Sequence, residues 1–378
     1  MKIFYFAALI LCLSIRLNAA VVYVNSEIGN DLKGKVDNSA KNPFKTIQQA
    51  INYSSGGDKI VIEGQGKNSN QLFYPESVII GHDKNGLSIL GTHSPVIDGS
   101  FLRKNDSIAR FPKNAISILA YQVSVSDLTI KNFLNIVDLN LNEIVGAGIY
   151  CAFGTSKISI EKVNVQNCNW GIYFDGPLFC DLNKNMIEEI RSYKNSNEIT
   201  GGIGIMLNPK DIGMEQNMIG VSAGNVIKST DGYGICFGNN KQVTVDNSKI
   251  RNNQISGSKT AGLALLGISG IVDISKNTFT NNNSSIFVKG QPLDAWIGEN
   301  TFKGATGVNE VETSSDYEGA MLYDIWRNNE NQFEKETYAA VNIKMEIVAN
   351  KSAKYIRTQL IKAKEDASKG AKVVTFTP

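Results

Sequence analysis

The sequence predicts an all-β fold, a right-handed parallel β-helix in which short strands coil into a stack. Three observations point there. One pattern recurs as Gly148-Ile149-Tyr150, Gly171-Ile172-Tyr173, Gly202-Ile203-Gly204, Gly234-Ile235-Cys236, Gly262-Leu263-Ala264 and Ser285-Ile286-Phe287, with steps of 23, 31, 32, 28 and 23 residues between the central positions. A second, independent series runs Asn225-Val226-Ile227, Asn253-Gln254-Ile255, Asn277-Thr278-Phe279 and Asn300-Thr301-Phe302, at steps of 28, 24 and 23. Finally, the apolar runs are five to seven residues long and rich in β-branched residues, Gly and Asn, and long segments of 3.6-residue period are missing from this span. Two series in step at such periods mark a solenoid built from one repeated unit.

Each element follows in order. Lys2, the apolar run Ile3 to Leu13 and the small residues Asn18, Ala19 and Ala20 predict a cleaved signal peptide over residues 1–20, too short to span a bilayer that takes ~20 apolar residues. The mature chain is then expected to be secreted, periplasmic or at the cell surface, with no membrane span. Residues 21–65 are read as an N-terminal cap with the first strands. Within them Phe44, Ile47 and Ile51 lie at near-helical spacing after Pro43, and Gly56-Gly57 closes the segment before the strand Lys59 to Glu63. Residues 66–350 are the solenoid. Residues 351–378 close the other end, with Ile356, Leu360, Ala363 and Ala367 striping one face of an amphipathic helix up to Gly370 and a strand from Lys372 to Thr377. Both ends of an open stack expose strand edges and need covering.

Along each strand alternate side chains share a face. Ile149 with Cys151, Ile172 with Phe174, Ile203 with Ile205 and Ile235 with Phe237 are therefore expected inside. The recurrent asparagines are expected to stack at a turn, each amide bonding to the next. Between Phe174 and Ile203 the segment Asn183 to Asn195 reads as a short helix lying over the outer face.

Charge excludes some partners. Without its signal the chain carries 36 basic and 36 acidic residues and no basic cluster. Nucleic acid and anionic lipid are poor partners for such a chain. Cys151, Cys168, Cys180 and Cys236 remain in the mature chain, and their dispersed spacing demands no disulfide. Cys151 and Cys236 fall in strand runs and read as small core residues. With only His82 and His93 and no paired-Cys spacing, no metal site is read. No cofactor is evident. Calcium stays open, but it would need six to eight oxygen ligands, and no Asp-rich cluster stands out to supply them.

The opening Val22-Tyr23-Val24-Asn25, Gly29-Asn30-Asp31, the run Asn42 to Ile51 and Gly57-Asp58-Lys59-Ile60 resemble the N-terminal region of secreted right-handed β-helix proteins of the pectin-lyase-like superfamily. With the repeats, the resemblance spans roughly residues 21 to 310. It implies the fold. For activity it implies only a range, since the superfamily holds lyases, hydrolases, epimerases and non-catalytic surface proteins. The polygalacturonase-like Asp-Asp pair and Arg-Ile-Lys are absent, and the nearest echo of Gly-His-Gly is Gly81-His82-Asp83 in the N-terminal region. The Asp-Pro-His-Asp of mannuronan epimerase-like members is absent too.

Glycoside hydrolysis needs two carboxyls about 5 to 9.5 Å apart. Asp175 and Asp231 are the acidic candidates, but the aligned neighbours of Asp175 are Ala152 and Met206, and neither acid has an evident partner. Both read first as turn or surface carboxylates. A lyase would need a basic residue; Lys228, Lys259 and Lys289 qualify and nothing singles one out. On the outward face one column reads Tyr150, Tyr173, Gly204, Cys236, Ala264, Phe287 and the next Ala152, Asp175, Met206, Gly238, Leu266, Lys289. Tyr150, Tyr173 and Phe287 are the candidate substrate-binding residues, as rings that stack on sugar; loops covering this face would make them structural. Three functions stay open: a polysaccharide-processing lyase or hydrolase acting on uronate-type or other glycans, a non-catalytic glycan-binding or surface-adhesion module, and a structural exported protein. The expected partner is a polysaccharide or cell-surface glycan; the oligomeric state is not legible.

Overall fold

A computed structural model describes residues 19–100, 114–134, 144–176, 179–195, 198–209, 219–221, 224–290, 294–307, 311–314 and 331–333. The expected signal peptide lies almost wholly outside these residues, and the expected C-terminal helix and strand lie entirely outside them.

The strands pair in parallel and in register, coil upon coil, as three faces visited in turn. In one coil Ala147–Cys151 lies on face one, Ser159–Glu161 on face two and Asn164–Gln166 on face three, and the next strand, Trp170–Asp175, returns to face one beside Ala147–Cys151. This is a parallel β-helix. Its first rung on face two is Val21–Val24, paired with Lys59–Glu63. Tyr233–Arg251 and Ala261–Ser275 run through faces one and two without a break, with register shifts after Gly238 and Val245. At Gly238 (φ +100°) an added Cβ would lie 2.0 Å from the Leu266 carbonyl oxygen, so only glycine lets the two backbones approach.

The interior is one continuous apolar core. On face one Ile149, Ile172, Ile205, Ile235, Leu263 and Ile286 stack on one another, and Cys151, Phe174, Leu207, Phe237, Leu265 and Val288 form the next column. One expected member changes: Ile203 pairs with Trp170, and Ile205 pairs with Ile172. The reason lies in the glycines. Gly204, not Gly202, continues the column of Gly148 and Gly171, and a Cβ on Gly171 would lie 2.2 Å from the Gly204 carbonyl oxygen and 2.6 Å from Ile187 Cγ2 of face three. Here the backbone of face one lies against side chains of face three, and Ile203 falls just before that corner, among the outer side chains.

The segment Asn183 to Asn195 is not a helix. It contains the strand Met186–Ile190 on face three and the strand Ser192–Asn195, which pairs antiparallel with Glu198–Gly201 as a hairpin. Ile187 and Ile190 are both buried although three apart, because Glu189 between them adopts φ +57° and turns the chain.

The asparagines stack as expected, and the stack is longer than the repeats indicate. Asn185, Asn225, Asn253, Asn277, Asn300 and Asn331 follow one another at the turn between faces two and three. The Nδ2 of each of the first five donates to the Oδ1 of the next at 2.9–3.2 Å. Among the described residues Cys151, Cys168, Cys180 and Cys236 are all buried. The helix Ile47–Tyr53 buries Ile47, Ala50 and Ile51, with Thr46 Oγ1 accepting from the Gln49 amide. No helix among the described residues is long and apolar enough to cross a membrane.

Candidate functional site

Side chains on the outer surface of face one form a second apolar cluster, separate from the interior. Ala147, Trp170, Tyr173, Met206, Cys236, Ala264 and Leu266 are its buried members, with Ile144, Tyr150, Ile203, Tyr233 and Phe287 packed partly buried against them. The pairing gives the column Tyr150, Tyr173, Met206, Cys236, Ala264, Phe287, so Met206 takes the place expected for Gly204. Tyr150 and Tyr173 have ring centroids 5.8 Å apart, and Trp170 meets Tyr173 edge-on at 5.0 Å. Tyr173 is 6% exposed and Tyr150 half-buried. Phe287 is also half-buried but stands five rungs from Tyr150, about 24 Å at ~4.8 Å per rung.

The neighbouring column reads Ala152, Asp175, Asn208, Gly238, Leu266, Lys289; Asn208 stands where Met206 was expected. Asn208 organises a polar strip. Its Nδ2 donates to Tyr173 Oη at 3.1 Å and to Asp175 Oδ1 at 2.9 Å, while its Oδ1 accepts from Asn239 Nδ2. Burial, reinforced by the Asp175 charge, pushes the Tyr173 phenol above its ordinary range, so it stays a neutral hydroxyl. Asp175 has no carboxyl neighbour in its column. Lys289 lies four rungs away, about 19 Å. Asp175 and Lys289 therefore do not form one catalytic pair.

Asp231 is placed elsewhere, at the corner where face three turns into face one. It accepts from the Ser192 amide at 3.1 Å and pairs with Lys259 Nζ at 2.8 Å and Arg191 Nη1 at 3.6 Å. Burial alone would raise its pKa, but the hydrogen bonds from Lys259 and Ser192 and the Arg191 charge outweigh it and hold the carboxyl low. Asp231 thus anchors the hairpin Ser192–Gly201. Among the described residues no group of three or more His, Cys, Asp or Glu is placed to hold a metal ion.

Asp231 shares this depressed state with Asp58, Glu63, Asp98 and Asp273, where burial is likewise outweighed by hydrogen bonds and nearby cations. A carboxyl whose folded pKa lies below its unfolded value adds stability that is complete above the unfolded value, ordinarily 3.8 for Asp and 4.5 for Glu. That stability is lost as pH falls through the folded value. Glu76, raised by burial, works the opposite way. The thermal unfolding midpoint should therefore drop steadily from pH 5 towards pH 2.5; a flat profile would show these contacts to be absent in solution.

No family model matches the chain, and the search of curated proteins finds no match. Solved structures of similar architecture include a rhamnogalacturonan lyase (10% identity, covering 80% of this chain and 88% of that one, TM-score 0.46). A lacto-N-biosidase from Eubacterium ramulus is 15% identical over 83% of this chain and 67% of its own, with TM-score 0.46. An alginate lyase from a Paenibacillus species is 14% identical over 72% and 95%, with TM-score 0.37.

Proposed function

We propose that the protein is an exported glycan-binding module that lays an extended polysaccharide along the outer surface of face one. The observation that carries this reading is the side-by-side arrangement of two columns there: the half-exposed ring of Tyr150, backed by the buried ring of Tyr173, and the strip Asp175, Asn208, Asn239. A ring presents an apolar surface to a pyranose, and amides and a carboxylate beside it meet the hydroxyl edge. Binding without hydrolysis is favoured over a hydrolase because Asp175 has Ala152 and Asn208 on its flanking rungs where a second carboxyl would be needed.

The test is a panel of purified polysaccharides with three readouts: retention, unsaturated-product absorbance and new reducing ends. The reading expects retention of at least one glycan without either product. Tyr150→Ala should weaken that binding by about 1 kcal/mol, the scale of one lost stacking contact. Tyr173→Phe, which keeps the buried ring and removes the hydroxyl, should weaken it less. Turnover that disappears in Asp175→Asn with retention intact would overturn the non-catalytic reading and make Asp175 catalytic. Unchanged retention in Tyr150→Ala would move the site off face one.

A further inference from the structure

Face two carries an aromatic residue that the repeats do not announce. Trp296, on the strand Asp294–Gly298, is 51% exposed on the outer surface. Its ring lies over Gly298: a Cβ there would sit 2.7 Å from Cε2, Cζ2 and Nε1 of the indole. Glycine at 298 thus lets the indole lie against the strand, one side on backbone and the other free for contact. The rung before it supplies polar groups. Asp273 pairs with Trp296 in register, and Ser275 pairs with Gly298. Ser275 Oγ donates to Asp273 Oδ1 at 2.7 Å, and Arg251 Nη2, one rung further on, donates to Asp273 Oδ2. These groups are one to two rungs, about 5 to 10 Å, from the ring, within the span of a single stacked sugar.

We propose that Trp296, seated on Gly298 beside Asp273 and Arg251, is a second sugar-binding platform, for neutral pyranosides, on a face distinct from face one. The ring takes the apolar side of the sugar. Asp273 accepts from its hydroxyls and Arg251 donates to its oxygens. A neutral sugar fits better than a uronate because the Arg251 charge is already engaged by Asp273, and a sugar carboxylate would face that acid. The proposal stands apart from the face-one reading, and Trp296 and Tyr150 variants report on the two surfaces separately.

Cellohexaose, mannohexaose and xylohexaose, with trigalacturonate as the charged comparison, would be titrated calorimetrically into the full mature protein. A difference in fluorescence between the native protein and Trp296→Phe isolates the Trp296 signal from the other tryptophans. At least one neutral oligosaccharide should bind and perturb that signal, with Trp296→Ala losing about tenfold in affinity and Trp296→Phe losing less. Gly298→Ala, which keeps the indole but lifts it off the strand, should also weaken binding while the circular dichroism spectrum stays native. No perturbation by any neutral oligosaccharide, equal affinity in Trp296→Ala, or preference for trigalacturonate would each overturn the proposal.

Discussion

Phe174→Ala should lower the free energy of unfolding by about 3–5 kcal/mol, the range for removing a large buried aromatic side chain. Phe174 is fully buried and sits mid-column on face one, between Cys151 on one rung and Leu207 on the next, with Phe237 beyond. Because strand backbones fix the rungs at ~4.8 Å, the stack cannot close up along its axis to fill the space left behind. The cost should therefore fall at the upper part of the range. Chemical denaturation read by circular dichroism measures it; a shift under 1 kcal/mol would mean that Phe174 is not a core residue. Phe174→Leu, which keeps most of the volume, should recover more than half of the loss.

Why Phe174 was legible in the sequence, and its neighbour Ile203 was not, shows where pattern reading stops. Alternation from Ile172 puts Phe174 inside, and it is inside. Around Ile203 the string Gly202-Ile203-Gly204-Ile205 fits the repeat in two registers two residues apart, and period-two alternation cannot choose between them. Contact of Gly204 with the backbone of Gly171 decides it, a tertiary fact. The helix read over Asn183 to Asn195 failed for a related reason. Ile187 and Ile190 have helical spacing, but a left-handed Glu189 turns a strand by the same amount. The asparagine stack was readable, and two of its members were missed although they carry the signal: Asn185-Met186-Ile187 and Asn331-Gln332-Phe333 share the Asn-Xaa-aliphatic or aromatic form, at longer steps of 40 and 31 residues. The first of these coils is lengthened by the hairpin Ser192–Gly201. The outer aromatics of face one were legible as a column, but the polar strip was not, because the two-residue slip put Met206 where Asn208 stands. Trp296 carried no repeat signature at all, and only its exposure and its seat on Gly298 single it out.

The two acids show the same limit in chemical terms. Asp175 and Asp231 look alike in sequence, each close to a Gly-Ile repeat. In the fold Asp231 is neutralised by Lys259 and Arg191 and ties down a hairpin, whereas Asp175 faces outward beside an asparagine and a tyrosine. Only the second has the surroundings of a ligand contact, because a carboxylate already bound to two cations has little left to offer a sugar hydroxyl.

Asn277→Ala should cost about 3–5 kcal/mol, as much as a large core deletion, although it removes only one amide. Asn277 is 1% exposed and its side chain serves both neighbouring rungs. Its Nδ2 donates to the Ile250 carbonyl at 2.8 Å and to Asn300 Oδ1 at 3.0 Å. Its Oδ1 accepts from the Asn253 backbone amide at 3.0 Å and from Asn253 Nδ2 at 2.9 Å. Alanine removes the partners of the Ile250 carbonyl and the Asn253 backbone amide, while Asn300 Oδ1 keeps the backbone amide of residue 277 at 2.9 Å; each orphan costs about 1–3 kcal/mol, reduced where water enters the gap. Asn277→Asp separates the two halves of this role. A carboxylate still accepts from Asn253 but cannot donate to Ile250 or Asn300, and it places a charge in the core. Burial raises the pKa of such a group above its unfolded value, so the native state favours the protonated acid, which donates one hydrogen bond again. The deficit of the aspartate variant relative to the native protein should accordingly be largest at neutral pH and shrink as pH falls towards 4.5, while the deficit of the alanine variant stays constant. Parallel denaturation curves of the three proteins between pH 7 and 4.5 check this; equal pH dependence for both variants would show that the asparagine stack is not sealed from water.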